Sequence, residues 1–241
     1  MIKSSSFSLN GSLSLNKDEL FSNVELEIKL DQWTIIIGQS GTGKSTLLKI
    51  IANLNISAAF NNNISKNINK DLSFSWMAQN DLLLPWLNVL ENVTLGQKLR
   101  REKIDLHKAN LLLEKVGLID VAKQLPSTLS GGMRQRAALA RTLMENNDII
   151  LMDEPFSSLD TITKSKIQKL TWSLLKNKTV IMVTHDPLEA LMLSNTLYYV
   201  SNKQLKPIKL PSSKPLRKIT NDNLIYSYKY ILNLLKKSYI Q

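Results

Sequence analysis

The sequence predicts an α/β fold with a mostly parallel central sheet. Three short apolar runs, 33–37, 148–154 and 179–184, have the composition of strands that are buried on both faces. A glycine-rich loop follows the first run and leads into a helical pattern over 47–52. Because neighbouring parallel strands are usually connected through helices, this alternation of strand and helix favours a parallel sheet.

The loop 38–46 has the sequence GQSGTGKST, which matches the G-x-x-x-x-G-K-[ST] spacing of a phosphate-binding loop. Glycines let the backbone curl so that several N–H groups point at one anion, and a helix N-terminus favours negative charge. We expect Lys44 to reach the terminal phosphates of a nucleotide and the Ser45 hydroxyl to ligate Mg²⁺. The predicted nucleotide-binding residues are Gly38, Gln39, Ser40, Gly41, Thr42, Gly43, Lys44, Ser45 and Thr46.

The 241-residue chain carries a net charge of +11 and no cysteine, so it has neither a disulfide framework nor a thiolate metal site. Its N-terminus lacks the apolar core of a signal peptide, and no apolar run approaches the roughly 18 residues that span a bilayer. Any membrane role must therefore come through a partner. Most of the positive charge falls in 203–241, where a solvated basic surface and an anionic partner are both possible interpretations.

The N-terminal part predicts antiparallel strands. Apolar residues alternate loosely over 7–28, with turns expected at Gly11 and at 16–18. The asparagine-rich segment 53–70 predicts a loop or short irregular strands, and 72–78 predicts a further strand that ends at Gln79.

The middle of the chain predicts a helical section inserted into the α/β sheet. Apolar residues recur at spacings of three and four within 88–124, and Gly117 is a plausible helix end. Before this section, the segment 80–86 places three leucines next to Pro85 and Trp86. It predicts either a core loop or an apolar contact surface.

A second helix N-terminus suited to anions is predicted at Ser130, a good N-cap that is followed by two glycines. The strand 148–154 ends in Asp153 and Glu154, at the sheet edge where ligands collect in α/β folds. Asp153 suits Mg²⁺, and Glu154 suits a base that polarises the attacking water. His185 follows the strand 179–184 and is expected to face the same ligand.

The C-terminal part predicts a last strand at 197–200, a proline-punctuated segment at 205–215 and a helix over 223–237. One face of that helix should be apolar. The residues expected on it are Ile225, Tyr228, Ile231, Leu232 and Leu235.

Taken in chain order, these motifs resemble those of the ATP-binding subunits of ABC transporters, and the resemblance covers most of the chain. The matching segments are the Walker A loop (38–46), the Q-loop (Gln79), the LSGGQ signature in its variant form LSGGMRQR (129–136), Walker B (149–154), the D-loop (158–160) and the switch histidine (His185). Residues 83–86, 92–93, 184–186 and 189–190 look most like the nitrate/sulfonate/taurine importer branch.

The resemblance implies a P-loop NTPase fold of the ABC ATPase type. Such a fold has a mostly parallel core sheet, an antiparallel β subdomain and an inserted helical subdomain. We expect one ATP-binding domain over 1–241, with the helical insert at about 86–128 and a basic C-terminal extension at about 203–241.

The resemblance also implies ATP hydrolysis with Mg²⁺, in a homodimer that holds two ATP molecules between its chains. The implied catalytic residues are Glu154, His185, Gln79 and Lys44, and the implied metal-site residues are Ser45, Gln79 and Asp153. The residues implied to contact the partner chain's nucleotide are Ser130, Gly131, Gly132 and Gln135, with Asp160 at the dimer contact.

The implied partners are two transmembrane permease subunits and an external solute-binding protein, with no nucleic acid. The chain would then lie at the cytoplasmic face of the cell (inner) membrane. The permease would dock at 82–86, above all at Leu84 and Trp86. The implied solute is a small anion or a vitamin precursor, such as a sulfonate, taurine, nitrate or a pyrimidine.

One departure concerns the adenine base. Members of the family usually stack an aromatic residue on it, but here that position falls at Leu15 or Asn16, and Phe7 and Phe21 are out of register. The alternative function is a non-transport ABC ATPase that acts on nucleic acid. Only the basic charge favours it, since the chain has neither long heptad repeats nor a second cassette.

Overall fold

The computed structural model describes residues 6–16, 18–54, 60–67, 72–218 and 222–237. The strands are β1 (Ser6–Leu15), β2 (Asp18–Lys29), β3 (Trp33–Ile37), β4 (Phe60–Asn62), β5 (Ser65–Asn67), β6 (Phe74–Met77), β7 (Ile149–Asp153), β8 (Thr179–Thr184), β9 (Thr196–Ser201) and β10 (Gln204–Ile208). The α-helices are α1 (Lys44–Ile51), α2 (Val89–Val93), α3 (Leu95–Leu99), α4 (Leu106–Lys115), α5 (Gly131–Met144), α6 (Thr161–Leu175), α7 (Pro187–Leu193) and α8 (Asp222–Lys237).

The chain forms two compact units. Unit 1 comprises Met1–Ser73 and Leu175–Gln241, and unit 2 comprises Phe74–Leu174. The predicted helical insert, 86–128, lies within unit 2. Among the described residues, no helix has the length and apolar character to cross a membrane.

Unit 1 contains the predicted antiparallel section. β1 pairs with β2, and β4 and β5 both pair with β1, so part of the asparagine-rich segment is strand. The expected turn at Asn16 is present, with a left-handed φ of 53°. The turn predicted at Gly11 is wrong, because Gly11 lies inside β1. Its φ of 143° and the close approach of the Asn63 carbonyl explain the glycine instead.

The strands of unit 1 run in the order β4-β1-β2-β10-β9-β3-β8. β3 pairs in parallel with both β8 and β9, as the buried apolar runs predicted. β10 is antiparallel to β9 and meets β2 at Gln204, so it joins the two sections. β10 was not predicted, since Leu205 is its only buried residue and Pro207 interrupts the strand pattern.

The C-terminal helix is confirmed as α8, but its buried face differs from the predicted one. Ile231 is buried as expected, whereas Leu224 is buried and Ile225 is exposed. The proline-punctuated segment before α8 is anchored by the buried Arg217. Its guanidinium donates to the carbonyls of Leu191 (2.8 Å) and Ser194 (2.7 Å) at the end of α7.

Unit 2 combines a two-stranded parallel pair, β6 and β7, with helices α2 to α6. The helical pattern over 88–124 is confirmed as α2, α3, α4 and a short 3₁₀ turn at 119–121. Gly117 follows the end of α4 with a left-handed φ of 68°, the conformation that ends many helices. α5 packs on α2 and α4, and apolar residues from these helices form much of the core of unit 2.

Candidate nucleotide-binding site

The phosphate loop of unit 1 has the conformation that its glycines predict. β3 ends at Ile37 and α1 begins at Lys44, and between them Gly41 and Gly43 take left-handed φ values of 80° and 85°. A Cβ atom on Gly43 would lie only 2.9 Å from the Phe21 ring and 3.3 Å from the Leu20 side chain. Any larger residue at position 43 would therefore disturb both the loop and the hairpin behind it.

The Lys44 side chain is folded over its own loop. Lys44 is only 5% exposed, and its Nζ donates hydrogen bonds to the carbonyl oxygens of Gly38 (2.8 Å) and Gln39 (2.5 Å). A buried ammonium needs such acceptors, because burying a charged group without replacing its hydrogen bonds to water costs free energy. Phosphate oxygens would be stronger, charge-assisted acceptors for the same group. The cation is thus held at the loop to which a nucleotide's phosphates would bind.

The end of α8 is fastened to this loop. Gln39 Nε2 donates to the carbonyl of Leu235 (2.9 Å), and the Tyr199 hydroxyl donates to the carbonyl of Leu234 (2.8 Å). These carbonyls belong to the last turn of the helix, where intrahelical donors are missing. The contact was not predicted, because no local sequence pattern links Gln39 to Leu235, 196 positions away.

His185 emerges at the same end of the sheet as the phosphate loop. Ile37 pairs with Thr184 in adjacent parallel strands, so Gly38 and His185 directly follow neighbouring strand ends. His185 is exposed. Asp186 accepts hydrogen bonds from the backbone N–H groups at the start of α7, at 2.9 and 3.2 Å, and so fixes the chain beside the histidine.

Both candidate rings for stacking on the adenine base are inaccessible. Phe7 and Phe21 are buried, while Leu15 is half-buried and Asn16 is exposed. Neither phenylalanine can therefore stack on a bound base in this conformation. The only side chains at the expected position are aliphatic or amide groups.

In unit 2, the predicted metal-site residue Asp153 ends β7 and the predicted base Glu154 follows it. β7 is paired with β6, the strand before the Q-loop. Met77 pairs with Met152 in parallel register, so Asp153, the last residue of β7, and Gln79, two residues beyond β6, lie at the same end of this strand pair. Asp153 is buried, and Gln79 is exposed. Glu154 has a left-handed φ of 47°, which is rare for a residue with a side chain and is common at functional sites.

The donor types predicted for the metal suit Mg²⁺ bound with a nucleotide. Among the described residues, no group of three His, Cys, Asp or Glu side chains could hold a metal alone. Mg²⁺ in ATPases uses one or two protein ligands with phosphate oxygens and water. Ser45, Asp153 and Gln79 offer hydroxyl, carboxylate and amide oxygens, which are ligand types that Mg²⁺ accepts.

The signature motif opens α5 as predicted. The Ser130 hydroxyl accepts a hydrogen bond from the N–H of Met133 (3.2 Å) and caps the helix. Ser130 and Gly131 are exposed, while a Cβ on Gly132 would come 3.3 Å from the Ser158 carbonyl. A 14-residue helix thus presents an exposed N-terminus with room for close approach.

Gln135 is placed differently from the prediction. It is only 4% exposed, and its amide bonds within its own chain to the Glu154 carbonyl (3.2 Å), the Ser157 hydroxyl (3.4 Å) and the Ser158 N–H (2.8 Å). The predicted contact of Gln135 with a partner's nucleotide does not fit this placement, because both ends of the amide are already engaged.

Asp160 is exposed and begins α6. Its carboxylate accepts a hydrogen bond from the N–H of Thr163 (3.0 Å). Hydrogen bonds from the Thr163 side chain and backbone lower the pKa of Asp160, so the carboxylate is charged at neutral pH. This keeps an anion at the position predicted for the dimer contact.

The predicted docking segment contains both buried and exposed residues. Leu83 is 8% exposed, whereas Trp86 is 70% exposed. The segment is held by the signature helix, since Arg141 donates to the carbonyls of Asp81 (2.7 Å) and Leu82 (2.8 Å). The exposure of Trp86 favours a contact surface over a core role.

Asn92, one of the residues that resemble the importer branch, has a structural role in the docking segment. It is fully buried, and its amide accepts from the Leu84 N–H (2.8 Å) and donates to the carbonyls of Leu84, Leu87 and Asn88. One side chain therefore fixes the turn that carries Trp86. No local sequence pattern indicates this role, because the groups that Asn92 bonds are brought together only when the chain folds into the turn before α2.

A groove of about 250 Å³ lies elsewhere on unit 2. Its lining residues come from β6, α3, α5 and the residue that follows α5, and are Ser75, Trp76, Leu95, Gly96, Leu99, Arg141, Thr142 and Glu145. None of the segment 82–86 lines it, so the expected docking residues and the groove are separate features joined through Arg141.

Comparison with known proteins gives a consistent picture. A family model described as "ABC transporter" matches residues 21–157. An uncharacterised ABC transporter ATP-binding protein of Haemophilus influenzae is 38% identical over 88% of this chain and 91% of its own length. The aliphatic sulfonates import ATP-binding protein SsuB 1 of Paracoccus denitrificans is 41% identical over 73% of this chain and 70% of its own length. The SsuB protein of Zymomonas mobilis is 36% identical over 92% of both chains.

Solved structures agree with these relatives. An ATP-binding cassette in a dimeric, post-hydrolysis state with ADP and Pi has a TM-score of 0.70 and 29% identity, and covers 88% of this chain and all of its own. A putative metal-chelate type ABC transporter in an inward-facing conformation has a TM-score of 0.68 at 22% identity, covers 93% of this chain and 89% of its own, and supports the fold alone.

Proposed function

Because the chain belongs to the ATP-binding proteins of ABC transporters, which hydrolyse ATP, we propose that it is the ATP-hydrolysing subunit of an importer for a small organic anion. The supporting observation is the 41% sequence identity to the aliphatic sulfonates import ATP-binding protein of Paracoccus denitrificans. Simple alkanesulfonates are the favoured solutes, and taurine (an aminoalkanesulfonate), nitrate and pyrimidines are the alternatives within the same branch.

In this proposal, the phosphate loop binds the ATP phosphates and Lys44 neutralises their charge. The Ser45 hydroxyl would hold Mg²⁺, with Asp153 and Gln79 as further ligands. Glu154 accepts the proton of the attacking water, and His185 stabilises the charge that develops on the transferred phosphoryl group. The metal supplies charge neutralisation at the phosphates when it is bound.

The dimer is proposed on the same basis. The related cassette at 29% identity was solved as a dimer with ADP and Pi. The exposed, serine-capped N-terminus of α5 offers N–H groups and a positive helix end, as expected for a contact with an anion. In a two-fold dimer, Ser130, Gly131 and Gly132 of each chain would contact the partner chain's ATP, with Asp160 at the interface.

The membrane partners are proposed as two permease subunits with an external solute-binding protein. They would hold the chain at the cytoplasmic face of the inner membrane. Trp86 and Leu84 are the proposed contact, and the groove beside α3 and α5 is a further apolar surface within reach of a short permease helix. The exposure of Trp86 supports this, since aromatic side chains are enriched among interface hot spots.

Reconstitution tests the proposal. The chain would be assembled in liposomes with its permease and solute-binding protein, and phosphate release measured with alkanesulfonates, taurine, nitrate or a pyrimidine. We expect the alkanesulfonates to stimulate hydrolysis most. The Glu154→Gln variant should release no phosphate. Hydrolysis that DNA or RNA stimulates, and that no solute-loaded binding protein affects, would instead favour the nucleic-acid alternative.

A further inference from the structure

We propose that Gln135 is a positioning residue for ATP hydrolysis, which fixes the backbone on either side of the turn that follows Glu154. The inference rests on the proposed role of Glu154 as the catalytic base. Gln135 would act through that turn and not by touching the nucleotide.

Glu154 has a backbone conformation that needs to be held by its surroundings. Its φ of 47° lies in the left-handed region, which a residue with a side chain adopts only when its surroundings hold it there. Its carbonyl accepts hydrogen bonds from Gln135 Nε2 (3.2 Å), the Ser157 hydroxyl (3.1 Å) and the Ser157 N–H (3.3 Å). Such a concentration of donors on one carbonyl is the restraint that this conformation requires.

The Gln135 amide bridges two points of the backbone, at Glu154 and at Ser158. Nε2 faces the Glu154 carbonyl, while Oε1 accepts a hydrogen bond from the Ser158 N–H at 2.8 Å. The pattern fixes which end of the amide is oxygen, because a carbonyl cannot donate and an N–H cannot accept. Gln135 is also buried, so water cannot readily replace either bond.

Gln135 lies near the N-terminus of α5. It lies one helical turn beyond Ser130, the N-cap that is proposed to contact the partner's ATP. The same helix therefore carries the proposed nucleotide contact and the restraint on Glu154. A shift of the helix N-terminus would be passed to the carboxylate through one side chain, which gives nucleotide contact a direct route to hydrolysis.

The main test is Gln135→Leu, which keeps most of the volume but removes all three hydrogen bonds of the amide. We expect kcat to fall about 10- to 100-fold, because small misplacements of a catalytic group have effects of this size. The Kd for ATP should stay within about threefold of wild type, since binding and catalysis are affected separately. An unchanged kcat would overturn the proposal. Strongly weakened ATP binding would also overturn it, because it would indicate direct contact of Gln135 with the nucleotide.

A matched control separates positioning from general loss of a buried hydrogen bond. Thr171→Val removes the bond from the buried Thr171 hydroxyl to the Ile167 carbonyl (2.7 Å) in α6 of the same unit. We expect this variant to lower Tm and to keep its kcat. Equal losses of kcat in the two variants would contradict a specific role for Gln135.

The second variant, Gln135→Glu, gives a pH readout and keeps the proposal testable if the leucine variant does not fold. A protonated carboxyl can donate to the Glu154 carbonyl and accept from the Ser158 N–H, as the amide does, whereas the ionised form can only accept. Burial raises the pKa of such a carboxyl. We expect the kcat of this variant, divided by that of wild type at the same pH, to be about tenfold higher at pH 6 than at pH 8.

A ratio that does not change with pH would overturn the proposal. The proposed function is tested separately by wild-type phosphate release and by Glu154→Gln. If Glu154→Gln hydrolyses ATP normally, Glu154 is not the base and the proposed mechanism fails. If it is inactive while both Gln135 variants behave as wild type, only the positioning role fails.

Discussion

At the scale of single residues, Lys44 is a buried cation with its ammonium held by backbone carbonyls of the phosphate loop. That arrangement keeps the charge in place at little cost in side-chain entropy, because the lysine is already ordered before any phosphate arrives. The residue is therefore preorganised for its proposed electrostatic role.

We expect Lys44→Ala to lower ATP hydrolysis by about 100-fold or more, since the phosphates lose their nearest preorganised cation. Phosphate release at saturating ATP measures the effect. Lys49→Ala is the matched control, because Lys49 is an exposed lysine on the same helix. The Lys49→Ala variant should hydrolyse ATP at the wild-type rate. Hydrolysis at the wild-type rate by Lys44→Ala would contradict the proposed site.

Base recognition is also decided by single residues. With Phe7 and Phe21 buried, the adenine should gain little from stacking, and ATP and GTP should bind within a few-fold of each other. Leu15→Tyr should tighten both nucleotides about 5- to 100-fold, since a stacked base is worth roughly 1–3 kcal/mol. Competition with a fluorescent nucleotide gives the Kd values. Wild-type discrimination above about a hundredfold would show that another residue reads the base.

At the scale of elements, α5 has several roles. Its N-terminus is the signature motif, Gln135 in its second turn holds the backbone near Glu154, and Arg141 in its last turn holds the segment that carries Trp86. One helix therefore begins in one predicted functional segment of unit 2 and contacts two others. Helices suit such a role because all their interior backbone groups are bonded within the helix.

Trp86 and its neighbour Leu83 provide a test of the docking segment. Trp86→Ala should keep the Tm and ATP affinity of wild type and lose permease-stimulated hydrolysis, because the exposed ring contributes little to folding. Leu83→Ala, at the buried position, should instead lower stability by about 2–5 kcal/mol. Thermal unfolding and the reconstituted ATPase assay measure both properties. A Trp86→Ala variant that melts far below wild type yet couples normally would show a core role.

At the scale of the whole molecule, the proposed catalytic cycle requires two chains. Each 27.3 kDa chain is strongly basic, with a net charge of +11, so two copies repel each other. Bound nucleotides offset this repulsion, because each brings several negative charges to the interface. Dimerisation should therefore depend on ATP.

The Glu154→Gln variant should bind ATP without hydrolysing it and accumulate as a dimer. Light scattering with excess ATP and Mg²⁺ should give twice the 27.3 kDa monomer mass, and the same variant without nucleotide should give the monomer mass. Adding Lys44→Ala to this variant should abolish the dimer, since ATP binding is lost. A dimer that forms equally without ATP would contradict nucleotide-dependent association.

The sequence by itself determined the features that depend on local pattern. The phosphate loop, the strands β3, β7 and β8, the helical section of unit 2 and the caps at Ser130 and Gly117 all follow from short-range spacing and backbone preference. The turn at Gly11 failed because glycine also serves close backbone approach, which depends on a distant strand.

Tertiary structure alone decided the contacts between segments far apart in the chain. These include the pairing of β10, the attachment of α8 to Gln39, the exposure of Trp86 beside the buried Leu83, and the bonds of Gln135 to Glu154 and Ser158. The physical reason is that a polar side chain is compatible with many partners. Only the folded chain determines which donor and acceptor are buried together, and burial is what makes the pairing obligatory.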